Sequence, residues 1–472
     1  MNILFIYPPI NSKVLVPCNF EPLALEVLAS KLNAHNVKIV DLRFESEKNF
    51  IKIIKTFSPE IVGISVNNTI QVNQSKMILQ HIKSLNPHIL ITVGGHHPTL
   101  VPEDFFTPFV DAIFLGWAEK SFPQYVNHLE AKTKNDSLES IIILKNGLPD
   151  YQSREFPKLK NSDISMPNRD LTIRYRNNYT NEIGRKYALV NTARGCPYRC
   201  SFCACWKAAH GQYLIRDAMD VFNELIDLPN DIQRVFFADD NTFYDTERAE
   251  KLYQLIRNSN VNKKYSGYCR SDTVVENPEL FKHWKEIGLE NLTIGFEAMD
   301  DHSLKIYNKK NKVESNQKAV GILNDIGVPF SSYFIIDPYF KQKDFDMTLH
   351  YVKKYNLIKP RFVVLTPLPG TQLYEKFKDK INLSYDYFDF LHWVYPTKMI
   401  TKEFLEYLVK LYYSSYSFKR YLRILFKNLF IRLKHLKSKR KLLKNINIIE
   451  LILLRLLAIP LHRKLYREYK KN

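Results

Sequence analysis

Cysteine is scarce in this chain and badly spread for disulfides. Its 472 residues hold six cysteines, and four of them crowd between 196 and 205. That excludes a secreted, disulfide-stapled scaffold and makes a reducing cytoplasm the expected setting. Met1 to Pro9 carries no basic segment ahead of its apolar run and no cleavage site, so it reads as a first strand rather than a signal peptide. Long apolar runs are wanting too. The stretch Ile446–Leu461 is broken by Glu450, Arg455 and Pro460, and falls short of the ~20 residues a membrane span needs. An excess of positive charge is missing from most of the chain. The net charge is +19, yet residues 417–472 hold 17 lysines and arginines against two glutamates, so +15 of it lies there. The nearly neutral remainder excludes a general nucleic-acid-binding surface.

What is present is alternation. At ~100–200 residues per domain the chain has room for two or three. Apolar runs at Ile3–Tyr7, Val37–Val40, Ile61–Val66, Ile89–Val93 and Ala112–Leu115 alternate with helix-length segments at Pro22–Asn33, Glu47–Thr56, Gln71–Leu85 and Phe122–Glu130. Near-continuous apolar strands between helices predict an α/β fold with a doubly wound parallel sheet over residues 1–130. Ligands of such sheets sit beyond the carboxyl ends of the strands. There the sequence places Ser65, Asn67 and Thr69, then Gly94-Gly95-His96-His97, then Gly116. The paired glycines fall where backbone must approach something bulky. His96 and His97 read as hydrogen-bonding loop histidines rather than metal ligands.

Residues 131–186 are polar and broken by Pro149, Pro157 and Pro167, which predicts a connector, with Ile173–Tyr179 a candidate to lie over the active site. From 187 the alternation resumes, with strands expected at Tyr187–Val190, Arg234–Ala238, Lys264–Cys269, Asn291–Phe296, Phe330–Ile336 and Arg361–Thr366. Helices of 10–18 residues fall between them, which predicts a second α/β domain over 187–380 and leaves 381–472 as a helical C-terminal region.

The chain is organised around Cys196-Pro197-Tyr198-Arg199-Cys200-Ser201-Phe202-Cys203. Thiolates are soft ligands, and three within eight residues can converge on one inorganic cluster. A fourth would close a zinc site or an ordinary ferredoxin-type cluster. Cys205 is nearest, but two residues past Cys203 it is expected to turn away, so the preferred reading is a 4Fe–4S cluster with one iron left open. Structural zinc is the competing reading. Cys205 and Cys269 read as buried, inert thiols with a thiol or proton-source role as the alternative.

This cysteine spacing, with Phe202 before the last cysteine, resembles the radical S-adenosylmethionine superfamily. The N-terminal half resembles the cobalamin-binding domain that precedes the radical domain in many of its members, on Tyr7-Pro8-Pro9, Val62-Gly63-Ile64-Ser65, Gly94 to Thr99, and Val110-Asp111 before Gly116. The cobalt-ligating pattern D-x-H-x-x-G is absent, because Asp41 is followed by Arg43 and Ser46 at the corresponding positions. The usual G-E-G-E loop reads Gly116-Trp117-Ala118-Glu119. The subgroup resembled is that of the cobalamin-dependent methylases typified by the hopanoid C-3 methylase. It rests on Phe236 to Asn241, Arg270 to Thr273, Gly295 to Glu297, Leu365 to Thr371, Asp389 to His392 and Pro396 to Lys398.

The resemblance implies a partial (β/α)6 barrel with its chemistry at the strand ends. It implies Cys196, Cys200 and Cys203 on the cluster. It implies Phe202, Asp239, Asp240, Arg270 and Glu297 around S-adenosylmethionine, and Ser65, Asn67, Thr69, Gly94, Gly95, His96 and Gly116 around cobalamin. For each charged residue the alternative is a strand-end salt bridge, and for Asp240 a helix cap. The activity implied is methylation of an unactivated carbon of a lipid or isoprenoid-type substrate, with a flavodoxin or ferredoxin as electron donor. A cobalamin-dependent cyclase or rearrangement enzyme is the alternative, and a non-catalytic cobalamin-binding regulator with a structural metal is a third. The basic, amphipathic spacing of residues 417–472 predicts peripheral attachment to an anionic membrane on its cytoplasmic face, with packing on the barrel as the alternative.

Overall fold

The computed structural model describes residues 1–10, 18–133, 138–156, 159–181 and 184–415. The first sheet contains β1 (Asn2–Tyr7), β2 (Asn36–Asp41), β3 (Ile61–Ser65), β4 (Leu90–Gly94) and β5 (Ala112–Phe114). All five are parallel in the order β2-β1-β3-β4-β5. Every residue of β3 is buried, as a strand with helices on both faces requires. The helix Glu47–Phe57 shows how those faces are covered. Ser46 caps it by accepting from the Asn49 N–H, and Phe50, Ile53, Ile54 and Phe57 fall on one buried stripe. The strand order reverses beside β1 and β3, so a crevice opens above their carboxyl ends.

The stretch read as a connector contributes structure of its own. β6 (Ile141–Lys145) and β7 (Leu148–Ser153) extend the first sheet antiparallel. Of Ile173–Tyr179, all but Tyr179, which follows its end, belongs to a 3-10 helix, Arg169–Asn178, which packs on β2 and on the helix Leu23–Ala29. There it joins the two halves through buried charge. Arg169 donates to Glu224 (2.7 Å) and to the Leu189 carbonyl (2.6 Å), and Arg216 holds the other oxygen of Glu224 (2.6 Å). Glu21 pairs with Arg176 and accepts from the Leu189 N–H at 2.6 Å.

The second domain begins with β8 (Ala188–Val190) and a small hairpin of β9 (Ala193–Gly195) and β10 (Tyr213–Ile215). It continues through β11 (Arg234–Phe237), β12 (Lys264–Cys269), β13 (Leu289–Glu297), β14 (Phe330–Ile336) and β15 (Lys359–Val364). β8 and β11 to β15 form one parallel sheet whose neighbours follow chain order, so it curls progressively and stays open between β8 and β15. Its outer layer is tightly filled. Phe237 stacks on Tyr265 at 5.7 Å, with Trp284 edge-on to both at 5.6 Å. The helix Thr401–Ser415 closes the far side by packing on Gln342–Lys354. The basic tail over residues 417–472 lies outside the described residues.

Candidate active site

The cysteine loop is shaped from within by one arginine. Arg199 donates to the carbonyls of Cys196, Pro197 and Gly211 at 3.1 Å and of Tyr198 at 3.2 Å, so the loop curls around its guanidinium. Gly195 starts the curl at φ +79°, and a Cβ there would lie 2.1 Å from the Gln212 carbonyl across the hairpin. The loop is then sewn to the strand ends. Ser201 N–H donates to Tyr307 O (3.0 Å), Asn308 to Arg199 O (2.7 Å) and Leu373 N–H to Ser201 O (3.3 Å). Phe202 packs edge-on against Tyr307 at 5.7 Å.

The three thiols lie within one another's field. Burial pushes Cys196 up to about 11, with Cys203, Asp240 and Cys200 adding to the rise. Burial also raises Cys200, against the pull of Lys309. Cys203 moves the other way, because the Cys205 thiol hydrogen-bonds to it. The expectation that Cys205 turns away is therefore corrected: the helix Cys205–Ala208 starts at once after Cys203 and folds the fourth thiol back beside it. Among the described residues no three His, Cys, Asp or Glu side chains converge on a single ion. The buried Cys200 thiol and the half-buried thiols of Cys196 and Cys203, grouped this way with their loop carbonyls taken up by Arg199, fit an iron–sulfur cluster held by cysteine thiolates.

Around this loop stand the strand ends. Asp239, after β11, is buried and accepts from Thr192 N–H (2.7 Å), Thr192 Oγ1 (2.5 Å) and Ala193 N–H (3.0 Å). It fixes the approach to the cysteines with both oxygens already engaged. Asp240 instead faces Cys196, Cys203 and Cys205. It caps no helix, since Asp245 accepts from the Arg248 N–H at 2.7 Å and caps Thr246–Arg257. Arg270 forks onto Asp272 (2.6 and 3.0 Å), donates to the Lys310 carbonyl (3.0 Å) and lies 3.6 Å over the Tyr198 ring. Glu297 sits at a register shift of β13 with φ +63° and pairs with Lys309 at 2.8 Å.

Sequence reasoning missed Lys309 and gave Asn241, read only as the end of the Phe236–Asn241 motif, no role of its own. Lys309 sits in a polar loop whose spacing carries no signal, yet its charge reaches both Glu297 and Cys200. Asn241 is 2% exposed, and neither its amide nitrogen nor its amide oxygen has a partner. An orphaned amide beside Asp240, with opposite charges at Lys309 and Glu297, fits the zwitterionic head group of S-adenosylmethionine.

The first domain brings its loops to the same place. Ser65 and Gly94 end β3 and β4 as register partners. Gly95, at φ +112°, lies so close to Val66 that a Cβ would fall 2.6 Å from its carbonyl and 2.9 Å from Asn67 Oδ1. Thr69 Oγ1 meets His97 Nδ1 at 3.1 Å, and His97 Nε2 meets Asp104 at 2.8 Å, so both ring nitrogens are engaged. His96 is exposed. Gly116 donates its N–H to Thr99 Oγ1 (2.8 Å), and Glu119 pairs with Arg194 of β9. Arg43 stands where the ligating histidine of the cobalt motif would be. It is fastened to Asp41 at 2.6 Å and lies 4.4 Å over the Tyr7 ring. Small, uncharged loop ends fit a broad, flat ligand, and neither Arg43 nor the fully engaged His97 has a nitrogen to offer its metal.

Both sets of loops meet. The helix His96–Leu100 packs on Cys205–Ala208, and Lys207 donates to the Gly370 carbonyl (2.7 Å) beside Leu100. Residues 16–126 match the B12 binding domain, and residues 190–352 match the radical SAM superfamily. The chain belongs to the B12-binding radical S-adenosylmethionine proteins. As such it is an enzyme whose cofactors are a 4Fe–4S cluster, S-adenosylmethionine and cobalamin. It is 26% identical to the hopanoid C-3 methylase of Methylococcus capsulatus, over 87% of this chain and 79% of that protein. It is 24% identical to an anaerobic magnesium-protoporphyrin IX monomethyl ester cyclase of Rubrivivax gelatinosus, over 86% and 74%. Its fold is similar to that of the cobalamin-dependent radical enzyme OxsB with aqua-cobalamin and S-adenosylmethionine bound. There the TM-score is 0.69 at 16% identity, covering 99% of this chain and 80% of that one. The regulator alternative gives way to this radical enzyme.

Proposed function

We propose that this radical enzyme is a methyltransferase acting on an unactivated carbon of an apolar, lipid or isoprenoid-type substrate. The observation that carries the proposal is the direct packing of His96–Leu100, from the cobalamin side, on Cys205–Ala208, from the cluster side. Bound together, the cluster and S-adenosylmethionine supply a carbon-centred radical, and cobalamin supplies a transferable methyl group. The chain's own part is to position and to exclude water. Cys196, Cys200 and Cys203 hold the cluster. Asp240, the Glu297–Lys309 pair and Asn241 orient the head group of S-adenosylmethionine. Arg270 braces the cysteine loop through Tyr198, Asp239 braces its entry through Thr192, and Phe202 wedges it against Tyr307. Ser65, Asn67, Thr69, Gly94, Gly95, His96 and Gly116 border the cobalamin crevice.

A small reductant such as a flavodoxin or ferredoxin supplies the electron. No helix among the described residues is long and apolar enough to cross a membrane. The basic residues of 417–472 would hold the enzyme to an anionic surface where such a substrate resides. The relatives include the cyclase named above, so cyclisation is the competing outcome. The deciding experiment is anaerobic turnover with S-adenosylmethionine labelled in its methyl group, paired with lipid mass spectrometry of cells with and without the protein. Label in a product one methyl heavier supports transfer. An unlabelled product of altered hydrogen count overturns it in favour of cyclisation.

A further inference from the structure

Strand alternation turns some aromatic residues of the second sheet inward. On β11, Val235 and Phe237 enter the outer core with the helices, so Phe236 faces the interior. On β12, Tyr265 and Cys269 take the outer side, which leaves Tyr268 inward. On β14, Phe334 and Ile336 are outward, which leaves Tyr333 inward. Phe236 and Tyr268 meet edge-to-face at 5.3 Å, and Phe20, from the first domain, stacks on Phe236 at 5.5 Å with the planes 23° apart. Tyr187 meets Phe20 edge-on at 6.4 Å. The result is one continuous aromatic surface built from both domains.

Tyr268 shows that this surface borders a space. Burial raises its phenol well above the ordinary value, and Tyr333, Cys205, Cys18 and Asp240 surround it closely enough to add to the rise. Yet 42% of its surface is accessible. On a central strand, hemmed in on several sides, that accessibility opens onto an interior cavity rather than onto the outer surface. The cavity has Asp240 and Cys205 at the cluster end and Cys18 on the side of the first domain. The aromatic wall itself carries no charge. Aromatic faces in a partly enclosed space gain by covering extended apolar surface, at roughly 25 cal/mol per Å², and gain most from rigid rings that lie flat or edge-on.

We propose that Phe20, Phe236 and Tyr268 form a specificity wall that seats the ring skeleton of an apolar polycyclic substrate beside Asp240 and the cysteine loop. The proposal rests on the methyltransferase reading above and adds where, and by which side chains, the substrate is held. The wall selects against phosphorylated and zwitterionic substrates, because charged groups lose hydration there and find no partner on it.

The test uses the full chain, anaerobically reconstituted, with a hopanoid in detergent micelles as the apolar probe and cytidine monophosphate as the charged one. Binding is measured by equilibrium dialysis for the wild type, Phe236→Ala, Tyr268→Ala and Tyr268→Phe. Iron content and cobalamin retention are the folding controls. The wild type is expected to retain the hopanoid and not the nucleotide. Both alanine variants should weaken hopanoid retention about tenfold, and Tyr268→Phe should stay close to wild type because the ring remains. Hopanoid retention unchanged in both alanine variants overturns the wall. So does nucleotide binding that those variants abolish, or a wild type that retains neither probe. Failure of the underlying reading shows elsewhere, as a reconstituted protein that forms no 5′-deoxyadenosine from S-adenosylmethionine.

Discussion

Glu297 and Lys309 form a 2.8 Å ion pair that lies across Gly295, so close that a Cβ at 295 would sit 2.1 Å from Glu297 Oε1 and 2.8 Å from Lys309 Nζ. Both side chains are at most 10% exposed. Removing one partner leaves a buried charge without compensation, which costs about 3–5 kcal/mol. Lys309→Met should therefore lower the urea midpoint of the cofactor-free protein clearly, and Glu297→Gln should do so less, because a neutral amide still accepts from the ammonium. Equal midpoints for Lys309→Met and wild type would show that the pair opens to water.

The cysteine loop makes a sharper division. Cys196→Ala, Cys200→Ala and Cys203→Ala should each reduce iron after anaerobic reconstitution from about four per chain to a small fraction of that. Cys205→Ala should keep the iron, since its thiol donates to Cys203 rather than completing the ligand set. Iron counting with the cluster's visible absorbance separates the four variants. Loss of iron in Cys205→Ala would make the fourth thiol a ligand.

Much of this was legible in the residues because the signals were local. Ile61–Ser65 is apolar throughout and became a fully buried parallel strand. The cysteine spacing needs only one loop to act, and that loop forms around Arg199. What the chain hid is what distance decides. β7, Leu148–Ser153, is polar and carries a proline, so no periodicity marked it, yet it pairs at the edge of the first sheet where proline is tolerated. Lys309 meets Glu297 only once the chain after β13 folds back across Gly295, and nothing in the sequence marks Asn241, next to Asp240, as an amide left without a partner. A helix cap was the alternative reading of Asp240, but the helix starts at Thr246 and Asp245 caps it.

Arg43 bears on the state of the cobalt. An arginine has no acceptor nitrogen and stays protonated, so it cannot ligate a metal. His97 has both nitrogens engaged, with Thr69 and Asp104. Cob(II)alamin bound to the anaerobic protein should therefore give the same electron paramagnetic resonance spectrum whether or not the protein is labelled with heavy nitrogen. A nitrogen splitting that changes with that label, and is lost in His96→Ala, would place His96 on the metal.

The joint between the domains should respond to pH through Glu26. Its carboxyl is pushed up to about 8 from 4.5, by burial first and by the neighbouring charge of Glu21 second, while Arg169, Thr172 and Arg176 offset part of this. Thr172 donates to one oxygen, and the other has no partner. Below about pH 4.5 the group is protonated whether the chain is folded or not, and it contributes nothing to the pH dependence. Between about 4.5 and 8 the unfolded chain gives up the proton and the folded one keeps it, so each pH unit in that window costs roughly 1.4 kcal/mol of stability. Above about 8 both states are ionised and the cost levels off at a few kcal/mol. Glu26→Gln removes the titration. Its urea midpoint should match wild type near pH 5 and exceed it increasingly toward pH 8.5. A difference that stays constant across that range would mean that Glu26 is already ionised in the folded protein, held so by Arg169 and Arg176.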